Sequence, residues 1–269
     1  NFTYASTMTI DIDIEYTVRN TECMNTPRVI KKTIPKINIG KMPIMLKSSI
    51  CVLNQNNNFT NSLLTGECIM DSGGYFIIKG SEKTVIGQER AAENRIYCFD
   101  VKKNSTKWLW SAEIKSVPDF KCISPKQVQM MISTKNNGFG HGIFVNIPRV
   151  KQPIELFILF RAFGITTDKD ICKHILLDIN NDETKVMLQH LQASIIDANE
   201  YLTQEDAIQY ITNYAIYTPI NMDRETGIQK QREFTLDIIE NDVFPHCKTK
   251  SQKIFLIGYM TAKLLSARL

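Results

Sequence analysis

The sequence predicts an α+β fold. Short β-forming runs and period-2 alternation occupy the chain as far as residue 147, and helical spacing takes over from Pro153 onward. Tight-turn residues punctuate the first part, with Gly73-Gly74 and Lys79-Gly80 bracketing a run of β-formers. At 269 residues, 43% apolar and 22% charged, the chain has the composition of a globular protein and ample length for a buried core.

The first strand is predicted over residues 3–19. Met8, Ile10, Ile12, Ile14 and Tyr16 alternate with Thr9, Asp11, Asp13 and Glu15, giving one apolar and one wet face. A turn near Asn25-Thr26-Pro27 leads into a second strand over 29–39, with basic residues outward and a break or edge position at Pro35. Residues 39–49 read as a short apolar strand between Lys41 and Lys47, and 54–61 as an Asn-rich polar loop. Tyr75 to Ile78, the turn Lys79-Gly80-Ser81, Glu82-Lys83 and the β-branched Thr84-Val85-Ile86 form a hairpin with a charged pair near its tip. Further strands are expected at 96–101, 108–115, 128–133 and 143–147, the last two joined by a glycine-rich tip at 136–142.

Helices follow at 154–163 (stopped by Gly164), 168–177 (capped by Thr167-Asp168) and 183–197. Others are expected at 207–214 behind Thr203, over a long amphipathic stretch at 224–243 ended by Pro245, and at 250–269. The chain opens on Asn1 and closes on Leu269 inside that last helix, so a segment of a longer protein is expected.

Charge is unevenly placed although the net value is only +4. Between Cys23 and Gly66 there is no acid, while Arg28, Lys31, Lys32, Lys36, Lys41 and Lys47 are all basic. Residues 178–206 are conversely acidic. A one-sided basic surface suits a polyanion, and it is also what an ordinary solvated face looks like. The seven cysteines are scattered without a Cys-x-x-Cys pair, which fits a reducing compartment. Sequons at Asn1, Asn58 and Asn104 arise readily in an Asn-rich chain, and with no signal peptide or membrane-length apolar run the protein reads as soluble and intracellular.

The residues offer no catalytic or metal constellation. His141, His174, His190 and His246 are dispersed, no nucleophile elbow is present, and the 136–142 glycines have no Walker lysine. His174 and Asp178 share an i, i+4 spacing that reads as a surface contact. The basic residues at the hairpin remain. Lys79 and Lys83 stand beside turns where long side chains reach a phosphate, and Glu82 is placed to orient Lys83. The same residues also read as an exposed charge pair of little energetic weight.

The hairpin segment Gly73-Gly74-Tyr75-Phe76-Ile77-Ile78-Lys79-Gly80-Ser81-Glu82-Lys83 resembles the Gly-Gly-Tyr-Phe-Ile-Ile-x-Gly-Ser-Glu-Lys segment of the second-largest subunit of multisubunit DNA-directed RNA polymerases. Gly40-Lys41-Met42-Pro43-Ile44-Met45-Leu46-Lys47-Ser48 is similar to that family's Gly-Arg-x-Pro-Ile-Met-Leu-Arg-Ser, with lysine in place of arginine. Phe160-Arg161-Ala162-Phe163-Gly164-Ile165, Phe244-Pro245-His246 and Phe255-Leu256-Ile257-Gly258-Tyr259-Met260 continue the likeness in family order. The eukaryotic, archaeal and large-DNA-virus branch fits better than the bacterial one, and the Asn, Lys and Ile bias suggests an AT-rich, viral genome.

The resemblance implies a discontinuous protrusion domain, residues 1–88 and 251–269, with an inserted α+β lobe at 89–250. It implies one wall of a DNA cleft that holds DNA and a DNA–RNA hybrid, and the charge argument makes Lys83, Lys79, Lys41 and Lys47 the expected nucleic-acid contacts. No catalytic residue, metal ligand or cofactor is expected in this segment, while the complete nucleotidyltransferase uses Mg2+ held mainly by the largest subunit. The largest and other subunits and general initiation factors are the implied partners, in the nucleus or cytoplasm, a viral factory or a virion. The alternative is a docking module that contacts subunits or factors and no nucleic acid.

Overall fold

A computed structural model describes residues 2–18, 28–54, 65–101, 106–218 and 220–269. The turn expected at Asn25-Thr26-Pro27, most of the Asn-rich loop, Cys23 and the sequons at Asn1, Asn58 and Asn104 lie outside the described residues. The chain is α+β and divides into two compact units, Asn1–Arg90 and Ala91–Leu269.

In the first unit, β1 (Ala5–Val18) pairs antiparallel with β2 (Arg28–Pro43). The alternation expected in β1 is present, with Tyr16 opposite Ile30, Ile12 opposite Ile34 and Ile10 opposite Ile37 on the apolar face. On the other face Glu15 pairs with Lys31 at 2.9 Å and Thr33 donates to Asp13 at 2.7 Å. Pro35 does not end β2. The register slips between Ile10 and Ile12, Lys36 takes a φ of 56°, and its amide donates to Asp11 Oδ1 at 2.7 Å. A bulge thus absorbs the residue that cannot donate to the ladder. The separate strand expected at 39–49 is absent, because β2 continues to Pro43 and turns follow from Leu46.

β3 (Phe76–Ile78) and β4 (Ser81–Lys83) form the second, shorter hairpin. Thr84-Val85-Ile86 does not resume the strand, since β3 is too short to offer it a partner, and Val85 and Ile86 are exposed. A small core of Leu46, Cys51 and Leu53, flanked by Tyr4, Ile44, Tyr75 and Ile77, anchors the hairpin base.

The second unit is a five-stranded antiparallel sheet with helices packed against it. Strands β5 (Tyr97–Asp100), β6 (Trp108–Ser116), β7 (Lys126–Asn136), β8 (His141–Asn146) and β9 (Ile154–Glu155) lie in chain order. Cross-strand neighbours Ala112, Met130 and Val145, with Ile114, Val128, Ile132 and Ile143, make a fully buried inner face. The 136–142 tip is a hairpin connection, and Asn137 fastens it to the next layer by donating to Asp197 at 2.7 Å and to the Ala193 carbonyl.

Five of the helices follow the expected order, each beginning or ending near its predicted position. They are α1 (Leu156–Ala162), α2 (Asp168–Leu176), α3 (Asp182–Asp197), α4 (Gln204–Tyr214) and α5 (Arg224–Asp237). Thr167 and Thr203 cap α2 and α4 by accepting from the amides of Asp170 and Asp206. α1 is apolar all round apart from Arg161, and all its residues are buried, as suits a helix inside the core.

The long helix expected over 224–243 is interrupted. After α5 the backbone takes one π turn, Ile238–Asp242, closed by the Val243 amide on the Ile238 carbonyl at 3.1 Å. In an α-helix, positions five apart diverge by about 140° around the axis. The wider turn brings Asp237 and Asp242 to one guanidinium, that of Arg149, which also lies over Phe234 at 4.6 Å. The buried Lys253 donates to the Ile239 and Glu240 carbonyls of the same turn, and its burial lowers its pKa.

The final helix, α6 (Lys250–Arg268), packs within the second unit on α2, β6, α3, β5 and β7. The expected grouping of residues 251–269 with the first part is a separate matter from these contacts inside the second unit. Phe255 and Tyr259 on this helix are exposed at 57% and 44%. The buried stripe is instead Ile254, Ile257, Gly258, Met260, Thr261, Leu264 and Leu265. At Gly258 an added Cβ would overlap the His174 carbonyl oxygen of α2, so the two backbones touch directly.

Gly258→Ala should force α2 and α6 apart and lower stability by about 2 kcal/mol or more, read from urea unfolding of the chain. Arg161→Met should cost about 3 kcal/mol or more, because carbonyls and a carboxylate lose their donor. Arg161 donates to the carbonyls of Thr166, Ala198 and Tyr201 and to Asp168, and an Arg161→Met variant as stable as the parent would show that these bonds do not organise the helices.

Candidate nucleic-acid interface

The hairpin places two of the four expected lysines. Lys79 and Gly80 both take positive φ, 52° and 83°, which is the two-residue turn whose twist matches a β-hairpin. Two contacts from the start of the chain hold that turn: Thr3 Oγ1 accepts from the Lys79 amide at 2.8 Å, and the Phe2 carbonyl accepts from the Gly80 amide at 2.8 Å. No local pattern signals this contact, since the partners are 76 positions apart. Lys79 and Lys83 are both exposed.

Lys83 stands opposite Phe76 and Glu82 opposite Ile77. Successive strand residues point to opposite faces, so the role expected for Glu82 in orienting Lys83 has no geometric basis. Lys83 instead extends from the face shared with Phe76, Ile78 and Ser81.

Lys41 is exposed on β2 opposite Thr7, away from the hairpin turn in the ladder. Lys47 is differently employed. Its ammonium donates to the carbonyls of Cys68 (3.5 Å), Ile69 (3.3 Å) and Asp71. It therefore ties the 68–71 segment to the hairpin base. Gly73 lies against this lysine, where an added Cβ would come within 2.6 Å of the Leu46 carbonyl oxygen and 2.8 Å of Lys47 Cβ. The polar residues around the base are equally committed. Tyr75 donates to Asp71, which raises the Tyr75 pKa to about 12 and lowers that of Asp71. Tyr4 donates to Glu67 at 2.7 Å, and burial above all raises its pKa to about 12. Lys79 and Lys83 thus stand exposed on a hydrogen-bonded base, with Lys41 exposed on the ribbon.

The remaining candidates for chemistry stay apart. His246 Nδ1 meets Ser116 Oγ at 2.5 Å, but Ser116 is fully buried and also accepts the His246 amide, a structural latch. Leu177, at a φ of 62°, ends α2, so Asp178 does not share a helical face with His174. Among the described residues no group of three or more His, Cys, Asp or Glu side chains is arranged to hold a metal ion. Among them too, no helix is long and apolar enough to cross a membrane.

The sequence profile of the family described as RNA polymerase beta subunit matches residues 1–269. The DNA-directed RNA polymerase II subunit RPB2 of Encephalitozoon cuniculi is 34% identical over 272 residues, covering 98% of this chain and 22% of that protein. Subunit 2 of RNA polymerase II from Arabidopsis thaliana is 32% identical over 286 residues, with the same coverage of 98% and 22%. The DNA-directed RNA polymerase subunit 2 of Acanthamoeba polyphaga mimivirus is 28% identical over 282 residues, 99% of this chain and 22% of that one. The chain thus spans about a fifth of the length of these relatives. With the match running from the first residue to the last and the hairpin folded around its Gly-Gly-Tyr-Phe-Ile-Ile run, the chain belongs to the RNA polymerase beta subunit family.

Proposed function

We propose that this chain serves within the second-largest subunit of a DNA-directed RNA polymerase of the eukaryotic, archaeal or viral kind, holding nucleic acid and contributing no catalytic group of its own. The first unit would act as the protrusion and the second as the lobe, with α6 counted in the lobe on which it packs. Nucleotide addition would belong to the complete enzyme and its Mg2+, in the nucleus or cytoplasm. The observation that supports the reading is the hairpin, whose Lys79-Gly80 turn and exposed Lys83 present ammonium groups on a rigid base.

Lysines of this kind bind phosphates as point charges, positioning a duplex without reading its sequence. Each contact releases condensed counterions, so affinity falls with salt in proportion to the number of contacts. A second reading, docking to other subunits or to initiation factors, is favoured by the ribbon. Met8, Ile10, Ile12, Ile14 and Tyr16 stay between 36% and 47% exposed along one face.

Lys83→Ala should weaken binding of a DNA–RNA hybrid to the chain similarly for unrelated sequences. It should also reduce the slope of log affinity against log salt by about one unit, with little change in melting temperature. Filter-binding titrations across a salt series measure both quantities. An unchanged affinity and slope would move the assignment to docking. Lys47→Ala should behave oppositely, lowering the melting temperature through loss of the ammonium that three carbonyls share.

A further inference from the structure

The second unit contains a cleft of about 960 Å3 whose walls come from residues 120–126 after β6, the end of α1, α4, the α5–π segment and the start of α6. Its floor is apolar. Phe163 and Ile208 are buried beneath it, while Phe120, Ile123 and Leu236 open into it with 59%, 38% and 41% of their surface exposed. Large apolar side chains gathered in one concavity differ from the single exposed hydrophobics common on any surface.

The rim carries Lys121, Lys248 and Lys250, all exposed. None of the three has a carboxylate partner among the described residues. Of the acids lining the same cleft, Asp242 is occupied by Arg149 and Lys126, which leaves Glu240 as the only other carboxylate on the wall. Lys253 lies deeper, 6% exposed and held by backbone carbonyls. The concavity therefore joins an apolar floor to an excess of positive charge at its mouth.

We propose that this cleft binds a peptide segment of a partner protein, with one large apolar side chain on the floor and flanking Asp or Glu residues paired with Lys121, Lys248 and Lys250. A pocket of this size accommodates a ligand of a few side chains. A nucleic-acid strand fits the floor less well. Bases stack on aromatic planes, and among the exposed side chains of the cleft only Phe120 offers one. The lysines supply attraction and register, and the apolar anchor supplies the desolvated contact.

The test uses the whole chain and a fluorescein-labelled peptide of alternating Asp and Glu around a central Phe, followed by anisotropy. Saturable binding is expected. It should weaken roughly tenfold when the peptide Phe becomes Ser, and roughly tenfold or more in a Lys121→Ala, Lys248→Ala, Lys250→Ala triple variant. Leu236→Ser, at an exposed position, should weaken binding independently, whereas Lys83→Ala should leave it unchanged. The proposal is overturned if the peptide shows no saturable binding or if the lysine triple variant binds it like the parent. It is equally overturned if a thymidine oligonucleotide of equal charge displaces the peptide, which would assign the cleft to nucleic acid.

Discussion

The guanidinium of Arg161 is the contact from which the helical layer takes its register. It is completely buried, and taking an unpaired charge out of water costs several kcal/mol. Every side of it is met: by the carbonyls of Thr166, Ala198 and Tyr201 and by the carboxylate of Asp168. One side chain therefore joins the entry to α2, the exit of α3 and the approach to α4. α1 needs such a contact because its other residues are apolar on all faces, and hydrophobic burial alone does not prefer one rotation of a helix over another. A satisfied polar network does prefer one.

The first unit is held by a different kind of interaction. Among the described residues its compact core is three buried residues and their flanks, and main-chain hydrogen bonds carry the connection between distant segments. The Ile44 amide donates to the Tyr4 carbonyl at 2.8 Å and the Leu46 amide to the Tyr75 carbonyl at 2.9 Å. Lys47 extends the same device by supplying a side-chain donor to the carbonyls of Cys68, Ile69 and Asp71. A basic residue in a charge-rich sequence run can thus be a structural bolt, while its neighbours in the run remain solvated.

Where local rules suffice, the sequence was readable. The Lys79-Gly80 turn, the Thr167 and Thr203 caps and the alternation of β1 follow from properties of one residue and its neighbours. Long-range geometry was not readable in this way. Ile238 and Ile239 continue an apolar pattern that suits an α-helix, and only the need of two aspartates to reach Arg149 accounts for the wider turn. Phe255 and Tyr259 look like core residues by type, yet Gly258 brings α6 so close to α2 that a different face is buried. Pro35 reads as a break or an edge position, and only the contact of the Lys36 amide with Asp11 on the partner strand shows how the ladder absorbs it. At the candidate interface, charge placed Lys79, Lys83 and Lys41 on the surface correctly, and Lys47 differed because its carbonyl partners lie more than twenty positions away.

The backbone contact at Gly258 has a mechanical consequence. Packed helices ordinarily accommodate motion by sliding a little, as side chains change rotamer at their interface. Where one main chain rests on another, no intervening side chain exists to do so. At this point α6 has no room to move closer to α2, so any relative sliding of the two helices must carry the Gly258 backbone past the His174 carbonyl.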